Sequence, residues 1–271
     1  MTAEASPGGR PQAIAVPSGS GSSSAGTVTD VLAFALRAAP FAGVALGYAL
    51  IGKLSGLRPV LVREPYELDA RLFSHGALPL STVVANAHGA ALDLFCGAIY
   101  LFYLFEVFAV AAYLFFRSRP RMLELSLGFL LVNLLGWAIW AVYPTAPPWY
   151  VDAHGFATPA HAVASNAAAL ERVDAWLGIE YFRTFYAKSR WVFGSFPSLH
   201  VAYATLVALV TGEVGGKLAR VAALYAVAIA YAAVYLRHHY VIDVLGGALL
   251  AVFVWGALRL AAGRRLEARS P

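Results

Sequence analysis

FPSLHVAY, Phe196 to Tyr203, sets a serine and a histidine two positions apart at the mouth of an apolar run. A second stretch, RHHYVIDVLGG from Arg237 to Gly247, repeats the arrangement near the other end of the chain. If both runs are membrane helices, two polar thresholds stand at hydrocarbon boundaries. Whether Ser198 and His200 can meet His239 and Asp243 then depends on whether the thresholds share one side of the membrane.

Composition supports the premise. The 271 residues are 60% hydrophobic and 13% charged, with mean hydropathy +0.66, whereas soluble domains carry about 25% charged residues. Cys96 is the single cysteine and lies in an apolar run, so there is no disulfide framework. The net charge is +5, and the arginines mostly flank apolar segments. This is the pattern of a topology signal rather than of a nucleic-acid surface. Residues 1–30, rich in Gly, Ser, Ala and Pro (PSGSGSSSAG), read as a disordered tail. They do not read as a cleaved signal peptide, because the first long apolar run starts near Val31 without a basic segment before it.

A span needs about 20 apolar residues. Six segments qualify, roughly 31–52, 90–116, 122–142, 198–212, 218–236 and 240–262, the fourth being short at its polar end. Backbone groups in lipid must bond internally, so these are helices, and the expected fold is an all-α integral membrane protein with six transmembrane helices. Residues 31–262 form the membrane domain and 263–271 a basic cytoplasmic tail. The short connections RSRPR (117–121) and GEVGGKLAR (212–220), with Arg264, Arg265 and Arg269, are basic. The longer segments 53–89 and 143–197 mix basic residues with Glu64, Glu67, Asp69, Asp152, Glu171, Asp174 and Glu180. Counting charge over short loops places both termini in the cytoplasm. YPTAPPWY (143–150), FPSLH and RHHYVID then share the extracytoplasmic or lumenal side, where three polar clusters form a site.

His239 and Asp243 are four apart, one helical turn on one face. A carboxylate on one ring nitrogen fixes the tautomer and leaves the other basic. His238 points about 100° away on a helix of 3.6 residues per turn, and reads as a substrate-binding neighbour that shapes the site or meets a headgroup. With His200 as a second imidazole, one ring can attack while the other moves the proton. Ser198, the first amides of the following helix, Lys188, Arg190 and Arg237 suit phosphate oxygens, and Pro197 fits that helix's first turn. The chemistry that follows is phosphoryl transfer through a phosphohistidine.

FPSLH followed about 40 residues later by HHYVID, on six helices, resembles the type 2 phosphatidic acid phosphatase superfamily. YPTAPPWY, GSFPSLH and HHYVIDVLGG together are similar to the fungal inositol phosphorylceramide synthases and their bacterial relatives, over about 60–262. The resemblance implies His239 as nucleophile, Asp243 as its orienting partner, His200 as general acid and base, and Ser198 as a phosphate ligand. It also brings Tyr143 and Trp149 into the motif. Three departures stand out. Leu199 and Ala233 occupy positions where the phosphatase branch carries Gly and Arg, and KLSGLRP (53–59) has four residues, not six, between Lys and Arg-Pro. They favour the transferase branch and leave Arg190 and Arg237 as replacement phosphate ligands.

Blander readings stand beside these. The His200, His239 and Asp243 set could be a buried network joining two helices, though polar groups within spans tend to be functional. Two His and an Asp could bind zinc, but the surrounding cations oppose it, so no metal or other cofactor is expected. Ser198 could simply cap its helix. Asp93 and Glu106 lie within the second segment, facing the cavity or, for Glu106, pairing with a group such as Asn133. Arg37 reads as a snorkelling residue, most Trp and Tyr of 137–150 as interface anchors, and His75, His88, His154 and His161 as ordinary loop residues.

The expected function is transfer of a phospho-headgroup, phosphoinositol, from a phospholipid donor to a ceramide-like lipid alcohol acceptor, releasing diacylglycerol. The 143–197 segment, with amphipathic SNAAALERVDAWLG (165–178), would cap the headgroup and exclude water. The alternatives are a lipid phosphatase acting on phosphatidate or a polyprenyl diphosphate, and a non-enzymatic lipid-binding protein, against which the intact His200, His239 and Asp243 speak.

Overall fold

The computed structural model describes residues 23–52, 57–74, 76, 78–159, 163–189 and 191–267. Among them are twelve helices: α1 (Ser23–Ile51), α2 (Arg63–Phe73), α3 (Leu80–Asn86), α4 (Ala90–Leu101), α5 (Tyr103–Arg117), α6 (Arg119–Val142), α7 (Pro148–His154), α8 (Leu170–Leu177), α9 (Tyr181–Tyr186), α10 (Leu199–Gly212), α11 (Gly216–Tyr235) and α12 (Val241–Glu267). The chain divides into two units, Met1–Leu36 and Arg37–Pro271; the described part of the first is the beginning of α1. That helix starts at Ser23, inside the expected tail, and residues 1–22 lie outside the described residues. At the other end α12 continues to Glu267, so the expected basic tail begins as helix.

Every apolar segment is helical, but the expected six crossings are only partly reproduced. By length and composition four helices can cross a bilayer: Val28–Ile51 within α1, then α6, α11, and Val241–Gly263 within α12. α4 and α5, bent by 46°, make a fifth if they act as one broken span. α10 has 14 residues, about 21 Å at 1.5 Å per residue, against about 30 Å of hydrocarbon. Its position explains why it is apolar nonetheless. Ala202, Leu206, Val207 and Val210 join a core with Val107, Leu114, Leu125 and Val254. Val201 and Ala204 join a second core with Tyr100, Leu170, Ile229 and Tyr235. A helix apolar all round is buried by protein on all sides. On other helices Phe105, Phe116, Leu224, Leu249 and Phe253 point outward and exposed, as a lipid-facing surface requires.

Polar groups in this interior are tied to partners. The buried Asp93 of α4 accepts from Arg172 Nη2 (2.7 Å) and Trp176 Nε1 (3.1 Å) of α8 and from the Tyr235 hydroxyl (2.7 Å) of α11. It therefore fastens the amphipathic 165–178 segment to the helices beneath instead of facing the cavity. Asp93→Ala is expected to lower stability by about 3 kcal/mol, measured by thermal unfolding in detergent. The lower end of the range for a broken buried pair applies because Arg172 keeps some solvent access. Asn133 accepts from Tyr203 (2.6 Å) and donates to the Phe129 carbonyl, so it is not Glu106's partner. One Glu106 carboxylate oxygen is buried with no hydrogen bond among the described residues.

Candidate active site

Three short contacts bring the motifs together. Thr145, in YPTAPPWY, forms parallel bridges to Leu61 and Gly194, and its hydroxyl accepts from the Phe196 amide at 2.8 Å. The Ser198 amide donates to the Asp243 carbonyl at 2.9 Å, joining the start of α10 to that of α12. Gly247 allows this approach, because a β-carbon there would lie 2.1 Å from the Ser198 carbonyl oxygen.

His200 Nδ1 lies 3.3 Å from His239 Nε2. His239 precedes α12 instead of riding on it, which changes the expected His239–Asp243 pairing. The Nδ1–carboxylate separation is 3.7 Å, and at 3.0 Å Nδ1 meets the Ser195 carbonyl. The Ser195 hydroxyl donates to Asp243 Oδ2, which also accepts the Tyr240 amide at 2.8 Å. Asp243 thus closes the first turn of α12 as the third residue of a capping box does, and reaches His239 through Ser195. Nδ1–H donates to this carbonyl and keeps its proton, so Nε2 carries the lone pair toward His200. Beneath this turn the buried Asp69 of α2 accepts the amides of Leu80 and Ile242, both at 3.2 Å. Burial pushes its carboxyl above the usual range, and those two donors oppose the shift.

The other expected site residues divide. Lys188 and Trp149 line a cavity of about 360 Å³ together with His200, His238, His239 and Ser195. Ser198 caps α10, weakly accepting from the Val201 amide at 3.5 Å; it is fully buried and lies behind the cavity wall. Pro197 precedes that cap and lies outside the helix. Tyr143, 43% exposed, sits edge-on to Phe196 away from the cavity. Arg190 lies outside the described residues.

Arg237 is not a free phosphate ligand. The α11 terminus closes by bonds from the Arg237 amide to Val234 and from the His238 amide to Ala233, the Schellman pattern. Arg237 holds the left-handed position, at φ 66°. Its guanidinium is buried and committed, to Asp152 (Nε–Oδ2 2.8 Å), Ser81 (3.0 Å) and Thr82 (2.7 Å). The side-chain clip holds an arginine where glycine is usual. Two of the departures from the phosphatase pattern, at Leu199 and Ala233, are also accommodated. Leu199 packs over Gly136, where a β-carbon would meet it at 2.6 Å, and Ala233 is wholly buried, with no space for an arginine.

Sequence reasoning assigned no role to Ser195, Tyr100, Tyr103 or Tyr186, and read Trp137 and Trp140, which line the cavity, as interface anchors. Tyr100 and Tyr103 each stand 4.5 Å from the His200 ring, and His238 is stacked between Tyr100 (5.1 Å) and Tyr186 (4.7 Å). Ser195 was visible in GSFPSLH, but nothing in its spacing points 48 residues ahead to Asp243. Among the described residues no group of three or more His, Cys, Asp or Glu is placed to hold a metal. The arrangement offers one imidazole with a fixed lone pair, a second at hydrogen-bonding distance, and an aromatic-lined cavity beside them.

A family described as the PAP2 superfamily matches residues 64–257. The phosphoinositol dihydroceramide synthase of Bacteroides thetaiotaomicron is 35% identical over 241 residues, 85% of this chain and 78% of that one. The inositol phosphorylceramide synthase of Candida albicans is 33% identical over 65% of this chain and 38% of its own length. The catalytic subunit of the Saccharomyces cerevisiae enzyme is 33% identical over 65% of this chain and 44% of its length, so the chain spans less than half of these fungal relatives. Aquifex aeolicus LpxE, 19% identical, shares the fold with a TM-score of 0.51 over 72% of this chain and 96% of that one. The chain is an integral membrane protein of the PAP2 superfamily, among members that transfer substituted phosphate groups.

Proposed function

We propose that this protein moves phosphoinositol from a glycerophospholipid to a ceramide-like lipid alcohol through a phosphohistidine on His239, releasing diacylglycerol. The observation that carries the reading is the His239 ring itself. Its Nδ1 is tied to the Ser195 carbonyl, and its Nε2 faces His200 at 3.3 Å on the cavity wall. Substrate phosphate enters by parting the two rings. His239 Nε2 then attacks phosphorus, the bond to the diacylglycerol oxygen breaks, and His200 gives its proton to the departing alkoxide. The acceptor hydroxyl next gives its proton to His200, its oxygen attacks phosphorus, and the P–N bond breaks, restoring both histidines. Ser195 and Asp243 keep the Nδ1 proton in place while positive charge grows on the ring. Lys188 is the cation among the described lining residues and meets the phosphate oxygens. Tyr186 and Trp191, from the 143–197 segment, wall off the pair and keep water from replacing the acceptor. The family resemblances support phosphoinositol and ceramide as the substrates.

Purified protein incubated with labelled phosphatidylinositol, with and without ceramide, tests this. Label in a new lipid only when ceramide is present is the expected result. Free inositol phosphate or orthophosphate under both conditions would make the protein a hydrolase.

The same reading places both termini in the cytoplasm and the histidine pair on the outer or lumenal side, with α10 reaching only part of the way across. Lys217→Cys, in the first turn of α11, is expected to resist a membrane-impermeant thiol reagent in intact cells. Ala157→Cys, beyond α7, is expected to react. Cys96 is buried and gives little background. Labelling in the reverse sense would invert the topology.

A further inference from the structure

Two buried polar atoms on the cavity wall have no partner among the described residues, His238 Nε2 and Trp191 Nε1. His238 is 6% exposed and stacked face to face between Tyr100 and Tyr186, so its ring can neither swing to water nor turn freely. The Ala167 backbone favours a proton on the ring, and a proton on Nδ1 leaves Nε2 with its lone pair. Burial, reinforced by His239, holds the imidazole down at about 3, so the ring stays neutral and Nε2 is an acceptor. An acceptor buried without a donor is costly, and the cavity beside the reacting pair is where a donor can arrive.

Resting on the transferase reading above, we infer that His238 Nε2 accepts a hydrogen bond from a substrate hydroxyl that does not react, making His238 a specificity-determining residue. The donor is a neutral hydroxyl rather than an ammonium group. The described cavity lining contains no carboxylate and does contain Lys188, so a cationic headgroup would enter without a counter-charge. Trp191 Nε1 completes the match, since a phosphate oxygen or a second hydroxyl satisfies its N–H. Two substrates of this reaction bring hydroxyls: the polyol headgroup of the donor, and the ceramide, whose second hydroxyl is not the one phosphorylated.

His238→Asn keeps an amide near the place of Nδ1 and leaves the place of Nε2 empty, whereas His238→Gln carries a polar atom out to that place. His238→Phe keeps the stack and removes both nitrogens. The readout is a ratio of kcat/KM values, measured with each full-length variant in detergent. The donor arm compares phosphatidylinositol with phosphatidylbutanol, which has no headgroup hydroxyl, and with phosphatidylethanolamine. The acceptor arm compares ceramide with 3-deoxyceramide. In one arm the preference for the hydroxylated substrate is expected to fall by about 10–100-fold in Asn and Phe, with Gln retaining part of it. A fall in the donor arm identifies the headgroup, and a fall in the acceptor arm identifies the ceramide. Unchanged ratios in both arms for Asn, or for Phe where Asn does not fold, overturn the inference, as does wild-type preference for the ethanolamine lipid. If wild-type protein only hydrolyses the donors, the transferase reading fails separately, and the donor arm still decides the role of His238.

Discussion

Replacing His239 by alanine is expected to abolish lipid transfer and, with it, any acid-labile phosphoenzyme. Nothing else in the described cavity can substitute. The neighbouring imidazole of His238 is locked between two tyrosines, and His200 stands on α10 with its Nδ1 against His239. His200→Ala should lose about 10²–10⁴-fold in turnover, the usual size of acid–base help. Unlike the His239 variant, it should still form phosphoenzyme from a nitrophenyl phosphodiester, whose leaving group departs without a proton. Asp243→Asn is expected to keep the fold and lose most activity. Ser195→Ala should lose less, because the carbonyl that meets His239 belongs to the backbone and survives. Phosphoenzyme in the His239 variant but none in the His200 variant would exchange the two roles. Full activity in Asp243→Asn would remove the carboxylate from the mechanism.

Much of this was readable before any coordinates. Apolar length alone located the helices, because in lipid a backbone has few other ways to satisfy its hydrogen bonds. The polar residues at their mouths marked the site for the same reason, being costly to place there without use. What escaped was whatever depends on how two distant segments touch. The break at Phe102 carries neither proline nor glycine; on either side of it Tyr100 and Tyr103 both pack on His200, a contact no local pattern encodes. Arg237 looked like a phosphate ligand because a basic residue beside two histidines usually faces the anion. Its left-handed backbone and the hydroxyls of Ser81 and Thr82 turned it inward instead. The spacing of His239 and Asp243 pointed to one helical face, yet α12 begins two residues after His239. The carboxylate therefore reaches the ring through Ser195.

Gly247→Ala should do nearly as much damage as losing a catalytic histidine, without touching substrate. A β-carbon at this position would stand 2.1 Å from the Ser198 carbonyl oxygen and 3.0 Å from its carbonyl carbon, where non-bonded carbon contacts settle at about 3.5–4 Å. The obstacle is backbone, and that carbonyl accepts the Ala202 amide in the first turn of α10, so no side-chain rotation relieves it. The starts of α10 and α12 must separate by roughly 1 Å or more to approach that contact distance. Such a shift strains the bond from the Ser198 amide to the Asp243 carbonyl. It also carries His200 away from His239, since one sits on each side of the contact. A displacement of about 1 Å costs on the order of 10²-fold in rate where reacting groups must be aligned, and overpacking adds about 1–3 kcal/mol of instability. The expected result is a folded but less stable protein, its melting temperature lowered in detergent and its transfer rate down by about 10²-fold or more. Gly256→Ala, at a position on the same helix where a β-carbon meets nothing within 4 Å, should be close to neutral in both measurements. If Gly247→Ala proved as active and as stable as Gly256→Ala, the close crossing of the two motifs could not be what holds the histidine pair together.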